Sequence, residues 1–188
     1  AVYDCMFANE ELLNKLFTFL EAEAPLNTLL AGYFGKIVST LLARRPEETL
    51  KVLQKRNVIP LLLRHVGSYS ILELLLKVVS EAEENASCAR IDWLYQEDLV
   101  GQLIDKLDPA LDSEVHANAS VALVGFINQQ QQMQWAVTGT PLKLVTALQS
   151  PESVRRLLER MLAGGSSTLD HGLTVLVELV RSSASQGA

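Results

Sequence analysis

The chain has 188 residues, of which 48% are hydrophobic and 20% charged. That is a globular balance, and it excludes an intrinsically disordered chain. Its 16 Lys and Arg stand against 22 Asp and Glu, a net charge of −6, which argues against a nucleic-acid-binding domain, since those are basic. A folded chain of this size buries roughly 70% of its unfolded surface and needs no disulfides for a core. Cys5 and Cys88 lie 83 residues apart, so the expectation is two reduced, mostly buried thiols rather than a disulfide scaffold. No apolar run approaches the ~20 residues of a membrane span, and no basic-then-apolar leader opens the chain. The start, Ala1-Val2-Tyr3, lacks an initiator Met, and the expectation is a piece of a longer protein.

The periodicity is helical almost throughout. Leu12, Leu13, Leu16, Phe17 and Leu20 follow the i, i+3, i+4 rule of an apolar helix stripe. Leu29, Leu30, Tyr33, Phe34, Ile37, Val38, Leu41 and Leu42 do the same over the next four turns. Pro46 followed by Glu47 and Glu48 reads as a helix start, with a preset φ and acids at the positive dipole end. Thr140-Pro141 and Ser150-Pro151 add a capping hydroxyl to the same signal. Gly67 and Gly164-Gly165 read as helix ends requiring positive φ. The helices expected are 9–22, 26–44, 46–56, 58–66, 69–84, 88–95, 97–107, 112–133, 141–149, 151–163 and 168–182. Residues 1–182 are expected to form one all-α domain, with 183–188 a frayed tail. The run Gln129–Gln132 is read as a helix end entering a polar loop.

A degenerate internal repeat is visible. Ile59, Leu62, Leu63 and Val66 match Val100, Leu103, Ile104 and Leu107 at an offset of 41, and Val154, Leu157, Leu158 and Met161 at a further 54. Each short helix precedes a strongly apolar one: Ile71–Val79, Val115–Ile127 and Leu173–Val180. Helical units of ~40 residues belong to the armadillo/HEAT size class. The fold expected is an armadillo/HEAT-like helical repeat, an α-solenoid, with a non-repeating helical bundle as the alternative.

The catalytic inventory is thin. His65, His116 and His171 are spread along the chain, with no second ligand at a metal-helix spacing. His65, beside Arg64, is read as a cation at a helix C-terminus. There is no G-x-S-x-G, no phosphate-cradling loop and no H-E-x-x-H. Gly32 and Gly35 inside a helix are read as allowing close helix approach. The pairs Glu83-Glu84 and Glu97-Asp98 are read as solvated loop edges, and the sequons at Asn85 and Asn118 as chance. Neither an enzyme, a cofactor nor a metal is expected.

Charge is segregated. Between Lys36 and Arg64 lie seven bases and two acids, while between Ser70 and Glu114 lie eleven acids and three bases. A basic zone beside an acidic one can steer a protein partner, although the charges can equally disperse over a mixed solvated surface. The candidate partner contacts are the cations Lys36, Arg44, Arg45, Lys51, Lys55 and Arg56, with Tyr33 and Trp93 as anchors, although aromatics at helical spacing also serve as core.

Five stretches in register resemble the SAPS-domain family, the regulatory subunits of protein phosphatase 6 and their fungal counterparts. The first runs from Leu16-Phe17-Thr18-Phe19-Leu20 into Pro25-Leu26-Asn27-Thr28-Leu29-Leu30-Ala31-Gly32-Tyr33-Phe34-Gly35-Lys36. The second is Leu42-Ala43-Arg44-Arg45-Pro46-Glu47, and the third His65-Val66-Gly67-Ser68-Tyr69-Ser70-Ile71-Leu72-Glu73-Leu74-Leu75-Leu76. Trp93-Leu94 with Leu99-Val100, and Asn118-Ala119-Ser120, complete the set. Ala24 and Thr28 stand where the family has prolines, and Gly32 and Gly35 where it has serines. The resemblance covers nearly the whole chain as a middle portion of the family domain. It implies a non-catalytic scaffold that binds a phosphatase 6-type catalytic subunit, engages ankyrin-repeat subunits and directs substrate choice, including cell-cycle substrates, in cytoplasm and nucleus. It defines no binding-residue set. The alternative reading is a generic armadillo-type adaptor for peptides or trafficking proteins, with no phosphatase.

Overall fold

A computed structural model describes residues 2–84, 93–94, 97–134 and 143–186. Every regular element among them is helical, and no strand occurs among the described residues. The chain is all-α and divides into two compact units, Ala1–Glu97 and Asp98–Ala188.

The first unit contains α1 (Val2–Ala8), α2 (Glu10–Thr18), a 3-10 turn (Phe19–Glu21), α3 (Thr28–Arg44), α4 (Pro46–Lys55), α5 (Val58–Arg64) and α6 (Tyr69–Glu84). Helix α1 lies ahead of the first helix expected from the sequence, and the stretch expected at 9–22 tightens into the 3-10 turn after Thr18. Asn9 caps α2 by accepting from the Glu11 and Leu12 amides, and Asn27 caps α3 by accepting from Leu30. The core forms chiefly where α3 packs on α6. Gly35 sits at that crossing: a Cβ there would come within 3.2 Å of the Ser70 carbonyl oxygen. This is the close approach expected of the glycine. Phe17 and Phe19 hold α2 and the 3-10 turn on α3, their rings 5.8 and 5.4 Å from that of Phe34.

The second unit contains α7 (Leu99–Asp105), α8 (Ser113–Gln134), α9 (Lys143–Leu148), α10 (Pro151–Ala163) and α11 (Ser166–Gln186). Its principal packing is α8 against α11. Helix α8 buries Ala119, Ala122, Leu123, Phe126 and Ile127, spaced as one helix stripe. Helix α11 buries Thr168, Gly172, Val175, Leu179 and Ser182, a seam dominated by small residues. Gly172 faces Met161 of α10, whose Cγ would stand 2.7 Å from an added Cβ. Helix α11 continues four residues beyond the end expected at 182.

The repeat has a local structural counterpart. Helices α5 and α7 are both seven residues long. Each begins after a non-glycine residue in the left-handed region, Asn57 (φ 49°) and Asp98 (φ 48°). The two caps stand 41 positions apart, the offset of the matching leucine-rich sequences. Each helix buries the same four positions: Val58, Ile59, Leu62 and Leu63 in one, Leu99, Val100, Leu103 and Ile104 in the other. The third sequence match falls within α10, which is longer and starts instead at Ser150, its side chain accepting from the Ser153 amide.

Several expectations change. Gly164 is extended (φ −103°, ψ −174°) and not left-handed; it is glycine because a Cβ would overlap the Thr168 side chain. His65 stands at the C-terminal cap of α5, as expected, but it is buried, and its Nε2 donates to the Leu20 carbonyl at 2.9 Å. Cys5 is exposed on α1 rather than buried. Cys88, Asn85, Tyr95, the Thr140-Pro141 start and most of the helix expected at 88–95 lie outside the described residues.

Candidate partner-docking surface

The basic zone of the first unit separates into cations that hold the fold and cations that remain on the surface. Arg45 donates to Asp4 at 2.7 Å and to Glu48 at 3.3 Å. Lys55 donates to Glu10 at 2.9 Å, and this hydrogen bond holds the Glu10 carboxyl below its ordinary value. Arg56 donates to Asn14 at 2.6 Å and lies 5.3 Å from the centre of the Phe17 ring. These three side chains tie α4 and its C-terminus to α1 and α2. Each ion pair is solvent-exposed and contributes little alone, but together they fix which face of α1 and α2 meets α4. Lys36, Arg44 and Lys51 are exposed and make no ion pair among the described residues. Trp93 is 6% exposed and packs inside rather than presenting itself to a partner.

Tyr33 and Lys36 are brought together on α3. The apolar arc of α3 is wider than its core contact needs. Phe34, Val38, Leu41 and Leu42 are buried, while Leu29, Leu30, Tyr33 and Ile37 are exposed, Tyr33 at 57%. The 100° step of a helix places Leu29, Tyr33, Lys36, Ile37, Thr40 and Arg44 along one outward face. Beside that face, α1 and α3 enclose an apolar groove of about 380 Å³ lined by Tyr3, Met6, Tyr33, Ile37 and Leu41. On the other side, α3 and α6 enclose a polar groove of about 420 Å³ whose charged residues are Lys36, Glu73 and Lys77. Lys36 and Thr40 line both. Sequence reasoning found Tyr33 and Lys36 here. It read Leu29 and Ile37 as members of one apolar stripe without dividing that stripe into faces, and it had no α1 to supply Tyr3 and Met6.

The second unit carries its charge differently. Asp105 on α7 accepts from Arg156 Nε at 3.0 Å and Arg160 Nη2 at 3.1 Å, both from α10. A second, shorter bond joins Arg156 Nη2 to its other oxygen. Arg156 also reaches Asp98 at 3.2 Å and Arg160 reaches Asp108 at 2.6 Å. Desolvation pushes the Asp105 carboxyl up, but the hydrogen bonds and charges of Arg156 and Arg160 outweigh it and lower its pKa overall. Burial pushes the neighbouring Lys106 ammonium down, against the pull of Asp105. His116, also buried, donates from Nε2 to the Asp108 carbonyl at 2.8 Å, with its Nδ1 2.9 Å from Ser167 Oγ. These groups are engaged with one another and connect α7, α8, α10 and α11.

Among the described residues no three His, Cys, Asp or Glu side chains are grouped to hold a metal, and no helix is long and apolar enough to cross a membrane. What the residues do supply is a folded helical body with outward apolar and cationic surface, the makings of a protein-binding helical module. The chain belongs to the SAPS family, described as SIT4 phosphatase-associated protein, whose family model matches residues 38–188. It is 32% identical to the human serine/threonine-protein phosphatase 6 regulatory subunit 1 over 95% of this chain and 21% of that protein. It is 36% identical to the mouse regulatory subunit 2 over 95% of this chain and 20% of that protein. It is also 28% identical to the extragenic suppressor of kinetochore protein 1 of Schizosaccharomyces pombe, over 96% of this chain and 22% of that protein. The chain thus spans about one fifth of the length of the curated relatives it matches. No solved structure matches it.

Proposed function

We propose that this chain is part of a non-catalytic regulatory subunit that binds a protein phosphatase 6-type catalytic subunit and directs its choice of substrate. The observation that carries the reading is the family match across residues 38–188, on relatives named as regulatory subunits of that phosphatase. In this reading the metal centre and the chemistry belong to the partner. The helices supply a preformed surface, whose rigidity limits the ordering cost of association. Ankyrin-repeat subunits are a further class of partner, and cytoplasm and nucleus are the compartments in which the complex works.

The test is a titration of the purified catalytic subunit against this chain and against its full-length parent, read by biolayer interferometry alongside a phosphatase assay. Saturable binding by both supports the reading. Binding by neither overturns it and favours a phosphatase-free adaptor. Arg44→Glu is the clean charge reversal, because Arg45→Glu would also break the contact to Asp4 on α1.

A further inference from the structure

We infer that the outward face of α3, together with the apolar groove between α1 and α3, docks an acidic amphipathic segment of a protein partner. The first observation is apolar exposure in a line. Leu29, Tyr33 and Ile37 stand 63%, 57% and 41% exposed at successive turns of one helix, and large aligned apolar exposure marks an interaction surface. The second is shape. The line borders a groove of about 380 Å³ whose floor is Leu41 and whose far wall is Tyr3 and Met6. Such a slot takes one or two apolar side chains at helical spacing, the geometry of helix-in-groove recognition. A methionine wall suits it, because an unbranched thioether adapts to the shape inserted.

The third observation is charge, and it selects the occupant. Lys36 stands at the lip of the groove, Lys77 in the adjoining polar groove, and Arg44 two turns beyond Lys36 on the same face. None makes an ion pair among the described residues. Of the residues lining the two grooves, Glu73 alone is acidic. By contrast Arg45, Lys55 and Arg56 are consumed inside the unit. Of the cations left over, Lys36 and Arg44 lie along the apolar line, whereas Lys51 stands on α4. A partner segment with leucine-like side chains on one face and carboxylates flanking them would satisfy both features, and a basic segment would meet like charge. The inference deepens the scaffold reading by naming a surface and the chemistry it accepts. It depends on that reading only for the identity of the protein that owns the segment.

The probe is a fluorescein-labelled peptide of about four helical turns with Leu at helical spacing and Glu elsewhere, followed by anisotropy on the full chain. A Leu/Lys peptide of the same pattern is the control. Saturable binding of the acidic peptide alone is expected, weakened by added salt. Lys36→Glu and Tyr33→Ala should each reduce affinity about tenfold. Lys51→Glu, the same charge change on exposed α4, should leave it unchanged. All three sites are exposed, and an unaltered circular dichroism melt checks that each variant is folded. No saturable binding up to about 1 mM peptide overturns the inference. So does equal binding of the basic peptide, or an unchanged affinity in Lys36→Glu and Tyr33→Ala. Failure of the catalytic subunit to bind both the unsubstituted chain and its full-length parent, with peptide binding intact, overturns the phosphatase reading and leaves this surface standing.

Discussion

Replacing Asp105 with asparagine removes one charge and changes almost no volume, at the point where two arginines of α10 converge on α7. Hydrogen bonds to charged groups contribute about 1.5–3 kcal/mol each. The side chains of Asp105, Arg156 and Arg160 are about one third exposed, so solvent screening cuts into that figure. Asp98 and Asp108 continue to hold the two guanidiniums, and asparagine keeps one acceptor oxygen. A net loss of about 2 kcal/mol follows, or a fall in Tm of about 4–8 °C for a chain of this size. The sign of the pH dependence is fixed by the direction of the shift. The Asp105 pKa is lowered in the folded protein, so its contribution is complete above the ordinary carboxylate value of 3.8 and is lost as pH falls through the lower folded value. Melts of the parent and Asp105→Asn, followed by circular dichroism at pH 7 and near pH 3, should differ at the first, and the difference should narrow at the second. A shift under about 1 °C at pH 7, or an equal shift at both pH values, would refute the account of this network.

His65→Ala leaves the buried Leu20 carbonyl without its donor and should cost about 2 kcal/mol in guanidinium unfolding; a loss under 0.5 kcal/mol would mean water replaces the imidazole. Asn57→Gly should change stability by no more than about 0.5 kcal/mol because glycine accepts its left-handed backbone freely, whereas Asp98→Gly should cost about 1–2 kcal/mol because the Asp98 side chain also caps Gly101 and accepts from Arg156. Equal effects at the two sites would show that the backbone alone matters there. Gly164→Ala should destabilise by about 1–3 kcal/mol by displacing the buried Thr168 side chain. Adding Thr168→Ala should recover part of that loss, and strict additivity of the two substitutions would place the strain elsewhere.

Helix class and helix ends were legible in the sequence where the signal is local. Ser150-Pro151 caps α10 as its residues suggest, and the stretch 46–55 starts at its proline. The 41-residue offset was legible because burial repeats with it: α5 and α7 hide the same positions. Its left-handed caps were not, since Asn and Asp are ordinary in turns and only tertiary context sets φ. The stripe over Leu29–Leu42 was legible as helix but not as two faces. Periodicity reports which side chains are apolar, and it does not report how much of a wide apolar arc the rest of the chain covers. Helix α11 shows the same limit: its buried seam is Thr168, Gly172, Val175, Leu179 and Ser182, while Leu169, Leu173, Val177 and Val180 are exposed. The fate of the basic zone depended on α1 and α2, whose acids reach it across more than 40 residues of sequence. Of the candidate contacts, Tyr33 and Lys36 converge, Arg44 shares their face, Lys51 stands apart, and Arg45, Lys55, Arg56 and Trp93 are engaged in the fold.

The polar links that hold the first unit together have a regular length. Asp4 to Arg45 spans 41 residues, Asn14 to Arg56 spans 42, and both Glu10 to Lys55 and Leu20 to His65 span 45. On the ribosome, each N-terminal partner must therefore wait for about 45 further residues. At about 5–20 residues per second, that is a delay of about 2–9 s. During that interval Phe17, buried in the finished unit, has only the partner that α3 brings within 17 residues, Phe34. The polar links of α1 and α2 therefore close only after α4 and α5 have been made, and until then these two helices are held by apolar packing alone.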